Sequence, residues 1–197
     1  MNTNKVIDKL LQENNGVLRT ANVVQAGFSR TMLGLLVKNG VLERIAHGQY
    51  IQSNDLPDDL FLLQQRSDKI VFSHETALFL HDMAERTPFR YSVTFPSNYK
   101  PSSKLSDGCK TYYVKPELHS LGQCVVKSKM GNEVITYDAK WTICDILRSR
   151  NRIDSQILAT AMRSYAVRKN QDWNKLRGYS ETFHVTKLLR QYLEVLT

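Results

Sequence analysis

Apolar positions in the first fifty residues form one helical stripe, two short helical runs and an alternating pair, in that order. Val6, Ile7, Leu10 and Leu11 recur at i, i+1, i+4 and i+5, which predicts a helix over residues 3–14 ended by Asn14-Asn15-Gly16. Thr20 stands where it can cap a second helix, residues 20–26, and Gly27 can take the left-handed conformation that stops it. Ser29 is the corresponding cap for residues 30–39, which Gly40 closes. Val23, Val24, Phe28, Met32, Leu35 and Leu36 are expected on the inner face, flanked by Leu33 and Val37, leaving Arg30, Thr31 and Lys38 outward. Residues 41–45 and 49–51 then alternate as a half-buried hairpin, joined by Ala46-His47-Gly48 with Gly48 at positive φ. Two capped helices around a Gly-Phe-Ser turn, followed by a basic hairpin, are the order of a winged helix-turn-helix.

Ser53-Asn54-Asp55-Leu56-Pro57 is rich in turn formers and marks the expected boundary, giving domains 1–54 and 55–197. In the second, residues 58–66 read as helical and residues 70–72 as a brief extended segment. Ser73 is expected to cap a helix from His74 to about Met83. Residues 91–95 alternate and stop at Pro96; residues 96–108, polar and with two prolines, are expected to be a long surface loop. A strand at 110–114 and a hairpin of 124–129 with 133–137 complete four short strands, enough for a small sheet and too few for a barrel. From Asp138 the pattern is helical again, with Asp154 and Asp172 placed as caps. The predicted fold class is α+β: an N-terminal winged helix-turn-helix domain, then a mixed domain with a small β-sheet and a C-terminal group of helices.

Charge adds a partner to this picture. The net charge is +8 with 27 Lys/Arg against 19 Asp/Glu, which favours a polyanion. It is unevenly spread. Residues 1–54 hold six basic against three acidic side chains, 55–119 eight against nine, and 120–197 thirteen against seven. Cys109, Cys124 and Cys144 are widely spaced and form no C-x-x-C pair, which predicts reduced thiols and a cytoplasmic protein. No apolar run approaches the length of a membrane span and no signal sequence follows Met1, so a soluble protein is expected.

The chemistry-bearing residues point to binding rather than catalysis. Ser29, Arg30 and Thr31 open the second helix of the motif, whose N-terminal residues reach base edges; Arg30 is the candidate for a bidentate contact to guanine. Arg19 and Thr20 begin the preceding helix and suit a phosphate, Lys38 lies outward, and Arg44, His47 and Gln49 belong to the wing. Arg148, Arg150, Arg152, Arg163, Arg168 and Lys169 form a C-terminal basic cluster, read either as a solvated face or as further phosphate or partner contacts. His74 and His81 sit two turns apart on one predicted helix, roughly 10 Å by helix rise, too far to share a metal. They read as one core and one surface histidine. Asp138, Asp145 and Asp154 read as capping or solvated groups. Walker, dinucleotide, zincin and nucleophile-elbow motifs are absent from the sequence, so no enzyme, cofactor or metal is expected. The competing readings are a generic winged regulator or adaptor, or an enzyme whose C-terminal domain gathers His, Asp or Lys residues in one pocket.

The segments GVLRTA (16–21), AGFSR (26–30) and GVLERIAHGQY (40–50) resemble the N-terminal domain of AbiEi-type antitoxins of bacterial abortive-infection, type IV toxin–antitoxin systems. VITYD (134–138), WTICDILR (141–148), RNRID (150–154) and YLEVL (192–196) also look like that family, so the resemblance runs along nearly the whole chain. It implies an autorepressor whose winged domain binds inverted repeats in its own operon's promoter on double-stranded DNA. It further implies a C-terminal domain that counters a nucleotidyltransferase-like toxin without a stable complex, with a role in phage resistance. No catalytic role is implied for the C-terminal basic residues.

Overall fold

The structure is a computed structural model that describes residues 3–169 and 171–196. The chain divides after Asp59 into two compact units, 1–59 and 60–197. The division falls five residues beyond the expected boundary because helix α4 (Asp59–Gln64) carries four buried apolar side chains, Leu60 to Leu63, and its Gln64 amide brackets the backbone of Ile135 through both N–H and C=O.

The first unit runs α1 (Thr3–Glu13), β1 (Leu18–Arg19), α2 (Thr20–Gln25), α3 (Arg30–Lys38), β2 (Leu42–Ala46) and β3 (Gln49–Gln52). Its strands form an antiparallel sheet in the order β1-β3-β2. Ile7, Leu11, Leu18, Val23, Leu33, Leu36 and Leu42 make the core, each fully buried aliphatic side chain contributing about 1.5–3 kcal/mol. Both helix stops follow from glycine. Gly27 (φ 86°) lets Phe28 N–H reach the Val23 carbonyl at 3.0 Å, and Gly40 (φ 68°) does the same for Val41 and Leu36 at 2.9 Å, satisfying carbonyls that the helices leave open.

Four expectations need correction here. Thr20 is not a cap: Arg19 precedes the helix, and the Asn22 side chain accepts its backbone N–H, while Thr20 directs its N–H and Oγ1 to the Gly48 carbonyl. Ser29 occupies the cap position of α3 without accepting a side-chain hydrogen bond. Val24 and Leu35 are exposed rather than inward, at 46% and 55%. Leu35 lies about 200° round the helix from buried Leu33 at 100° per residue, so the core cannot hold both. Strand β1 has no signal in the sequence, because two residues show no alternation.

The second unit contains a five-stranded mixed sheet in the order β6-β5-β4-β8-β7, with β4 (Val71–Phe72), β5 (Ser92–Pro96), β6 (Lys110–Val114), β7 (Gln123–Lys127) and β8 (Glu133–Tyr137). The two-residue β4 is its centre, parallel to β8 and antiparallel to β5. Strands β5 and β6 are parallel, and parallel neighbours need a crossover of a dozen or so residues. This corrects the loop expected at 96–108: it holds α6 (Ser103–Gly108), anchored by buried Leu105. Between β6 and β7 a short α7 (Pro116–His119) intervenes.

Helices α5 (His74–Leu80), α8 (Ala139–Arg148), α9 (Ser155–Ala166), α10 (Trp173–Thr182) and α11 (Thr186–Leu196) enclose a core around Trp141, which packs against Tyr137, Tyr179 and Phe183. Every residue from Trp141 to Leu147 is buried, so α8 is covered on all sides. Asp138, Asp154 and Asp172 cap α8, α9 and α10 through backbone N–H groups of Trp141, Gln156 and Lys175. Asp145 is the exception, neither cap nor solvated: its carboxylate is wholly buried. Ser73 precedes α5 but does not cap it, because its hydroxyl is engaged by Thr94 and His74. Among the described residues no helix is long and apolar enough to cross a membrane. All three cysteines are free thiols, Cys109 and Cys144 buried and Cys124 half-buried.

Candidate nucleic-acid interface

The outer face of α3 and the hairpin beside it gather most of the N-terminal candidates. Arg30, Thr31 and Lys38 are exposed along α3, a helix without a carboxylate, and Ser29 is exposed just before it. With no side chain capping them, the first N–H groups of α3 remain donors for an anion. A concavity of about 520 Å³ lies between α2, the start of α3 and the hairpin turn, lined by Thr20, Ala21, Val24, Gln25, Arg30, His47 and Gly48.

The hairpin tip is fixed from two sides. Thr20 holds the Gly48 carbonyl at 2.9 Å through its N–H and at 3.4 Å through its hydroxyl. Gly48 (φ 69°) takes a left-handed backbone that favours glycine, and a Cβ there would crowd Thr20 Oγ1 at 3.2 Å. Arg44 donates through Nε to the Ala46 carbonyl at 3.3 Å and lies 3.3 Å from His47 Nδ1, so the two side chains form one exposed basic pair. A register shift between Arg44 and Ala46 twists the strand at this point. Gln49 is half-buried and pairs with exposed Arg19 across β1 and β3. Thr20 and Gln49 thus build the surface that the exposed cations Arg19, Arg30, Lys38 and Arg44 occupy.

The C-terminal basic cluster separates into two groups. Arg148 donates through Nε and Nη2 to one oxygen of Asp145, at 3.1 and 2.6 Å, and lies over the Phe183 ring. Arg152 stacks on Tyr112 and donates to the Thr111 carbonyl. Arg168 has one guanidinium nitrogen buried. Arg148 and Arg152 are thus tied into the fold, whereas the buried nitrogen of Arg168 has no hydrogen-bond partner. Arg163 and Lys169 are exposed, and exposed Arg150 makes a long contact of 3.4 Å to the Leu147 carbonyl.

His74 is a core histidine with a specific setting. Its ring stacks on Tyr112 at 3.4 Å between centroids, with Nδ1 3.0 Å from Ser73 Oγ and 3.4 Å from Asp145 Oδ2, and Nε2 3.0 Å from Ser149 Oγ. The adjacent carboxylate favours the proton on Nδ1, leaving Nε2 to accept from the Ser149 hydroxyl. Burial pushes the imidazole down to about 4, against an opposing pull from Asp145, so it is neutral at pH 7. Hydroxyl, imidazole and carboxylate lie in sequence, but Asp145 Oδ2 makes no hydrogen bond to the ring, the ring is wholly covered and half-exposed Ser149 is the array's outer member. The array pins the start of α5 to the end of α8. His81 is not a surface residue either; it is half-buried, with Nε2 2.7 Å from the Tyr137 carbonyl. Asp138 stands apart from this array, with Lys175 and Tyr179. A second concavity, about 580 Å³, is lined by Met83, Ile157 and exposed Phe89 and ends at the Lys110–Glu75 ion pair at 2.9 Å; no sequence motif announced it. Among the described residues no group of His, Cys, Asp or Glu side chains is arranged to hold a metal ion.

The first unit's helices and sheet thus carry a cation-lined helix face. Residues 5–51 match the family described as "Transcriptional regulator, AbiEi antitoxin", the family that the GVLRTA, AGFSR and GVLERIAHGQY segments resemble. No curated protein matches the chain. The fold is similar to that in the crystal structure of the RV2827C protein from Mycobacterium tuberculosis, with a TM-score of 0.64 at 12% identity, over 89% of this chain and 70% of that one. At that identity the likeness establishes the fold alone.

Proposed function

We propose that the chain is a DNA-binding autorepressor and antitoxin. Its first unit is a winged helix-turn-helix in which α3 is the recognition helix, β2 and β3 the wing, and α1 the brace beneath. It binds inverted repeats in the promoter of its own operon. The second unit counters a nucleotidyltransferase-like toxin without forming a stable complex with it.

The observation that carries this reading is the face of α3: Arg30, Thr31 and Lys38 outward on a helix free of acids, beside a hairpin tip that presents Arg44 and His47. In the helix-turn-helix geometry the N-terminal residues of this helix reach base edges, which gives Arg30 the guanine contact and Ser29 and Thr31 the neighbouring positions. In this reading Arg19 and Lys38 contact phosphates, and the wing contacts the backbone or the adjacent minor groove. The test is an electrophoretic mobility assay on the DNA immediately upstream of the chain's own coding sequence. Sequence-specific retardation is expected, and Arg30→Ala should weaken it by roughly 1–3 kcal/mol and relax base preference. Unchanged affinity and specificity in that variant would overturn the role given to α3. The antitoxin half is tested by co-expression with a nucleotidyltransferase-like toxin gene neighbouring the chain's own: growth should be restored and the two proteins should not co-purify, and the absence of such a gene counts against this half.

A further inference from the structure

The outward stripe of α3 is Arg30, Thr31, Gly34, Leu35 and Lys38, at i, i+1, i+4, i+5 and i+8, all exposed. Two of its members have no explanation within the fold. Gly34 sits inside the helix, where glycine is the least favourable residue after proline. Its backbone does not require glycine, for it is absent from the positive-φ positions, and a Cβ built on it meets nothing within 4 Å. Alanine would therefore fit and would strengthen the helix. Leu35, next to it, leaves 55% of its surface in water although the core has apolar neighbours on the other side of the same helix.

We propose that Gly34 and Leu35 are specificity-determining residues for DNA, a step that rests on the reading of α3 as the recognition helix. The missing side chain at Gly34 lets the helix approach the floor of the major groove closely. Leu35 then packs against the 5-methyl group of a thymine, the apolar group that an A·T pair displays in that groove. The occupant is argued from charge: Arg30 and Lys38 bracket the pair, α3 holds no carboxylate, and Arg44 and His47 stand on the adjacent hairpin. On the α3 stripe one apolar side chain stands between two cations, and with Val24 of α2, exposed beside Arg30, it makes no wide apolar centre depleted of charge such as a protein interface is built on.

The experiment uses the full chain and a duplex library randomised over about 20 base pairs, two half-sites one helical turn apart. The selected duplex is resynthesised with deoxyuridine in place of each thymidine in turn. The native protein is expected to lose roughly fourfold in affinity at one thymine per half-site, the effect of one buried methyl group. Leu35→Ala should bind the thymine and uracil duplexes equally at that position. Gly34→Ala should bind the selected duplex far more weakly while its melting temperature rises. Native-like binding by Gly34→Ala, or no thymine position at which the methyl group matters, overturns the inference while leaving DNA binding intact. Failure to select any duplex overturns the DNA-binding reading and the inference together. A Leu35→Ala variant that changes oligomeric state but keeps the thymine dependence assigns the stripe to a second copy of the chain and also overturns it.

Discussion

Asp145 and His74 show how much one buried polar pair can demand of its surroundings. Asp145 is i−3 to Arg148, which covers one carboxylate oxygen, and the other faces His74 Nδ1. Removing the negative charge by Asp145→Asn leaves Arg148 without its counter-ion, although a third of that side chain is in water. The expected loss is therefore about 3 kcal/mol, at the low end for a broken buried pair, read by urea denaturation at pH 7.5. His74 adds a pH dependence. Its folded-state value of about 4 lies below the ordinary 6.5, so the unfolded chain takes up a proton between these limits that the native chain refuses. That contribution is complete above pH 6.5 and is lost as pH falls toward 4, by roughly 3 kcal/mol in total. Melts across this range should show the slope, and His74→Gln, less stable throughout, should lose that part of it. A slope unchanged in the variant would place the titration elsewhere.

At the scale of elements, the hairpin turn and the start of α2 behave as one part. Gly48→Ala meets two obstacles, a left-handed backbone and Thr20 Oγ1 at 3.2 Å from the new carbon. It should destabilise the first unit by about 1–2 kcal/mol and shift the Arg44–His47 pair, and so weaken the DNA binding proposed above. Thr20→Val should do less, about 1 kcal/mol or below, because its N–H still holds the Gly48 carbonyl. Calorimetric melting of the two variants orders them; a larger effect for Thr20→Val would show that the hydroxyl, not the turn, holds the tip. The β5–β6 crossover illustrates the same dependence from another side: α6 exists because parallel strands need a bridge, and Leu105 fixes it to the sheet.

For the whole molecule, the charge of the C-terminal half must be divided before it is assigned to a partner. Arg148 and Arg152 are held by Asp145, Phe183, Tyr112 and Thr111, and their replacement by alanine should lower the melting temperature. Arg163 and Lys169 are exposed, and Arg150 has only a long 3.4 Å bond to the Leu147 carbonyl, so replacing these three should change stability little. If these cations extend the DNA footprint, the triple variant will show a shallower fall of log K with log salt, by up to about 0.9 for each phosphate that is no longer neutralised. An identical slope confines the footprint to the first unit and leaves the exposed cations to another partner.

The N-terminal unit was legible because its signals are local: glycines at helix ends, a stripe at helical spacing and an alternating hairpin all act within a few residues. The same locality let the sequence place Arg30, Thr31, Lys38 and Arg44 on the outside. It could not say which of two neighbouring apolar residues the core would take, so Leu35 and Val24 are expected inside and stand in water. Nor could it show Thr20 reaching 28 residues along the chain to Gly48. In the second unit the strands were readable where they alternate, as in β5, β6 and β8. The central place of β4 and the α6 crossover were not, since both depend on which strands lie side by side. His74, Ser149, Asp145 and Arg148 came together only through the packing of α5 on α8. Short-range preference determined the elements and the charged face; desolvation and long-range contact decided which polar groups were drawn inside and which apolar ones were left out.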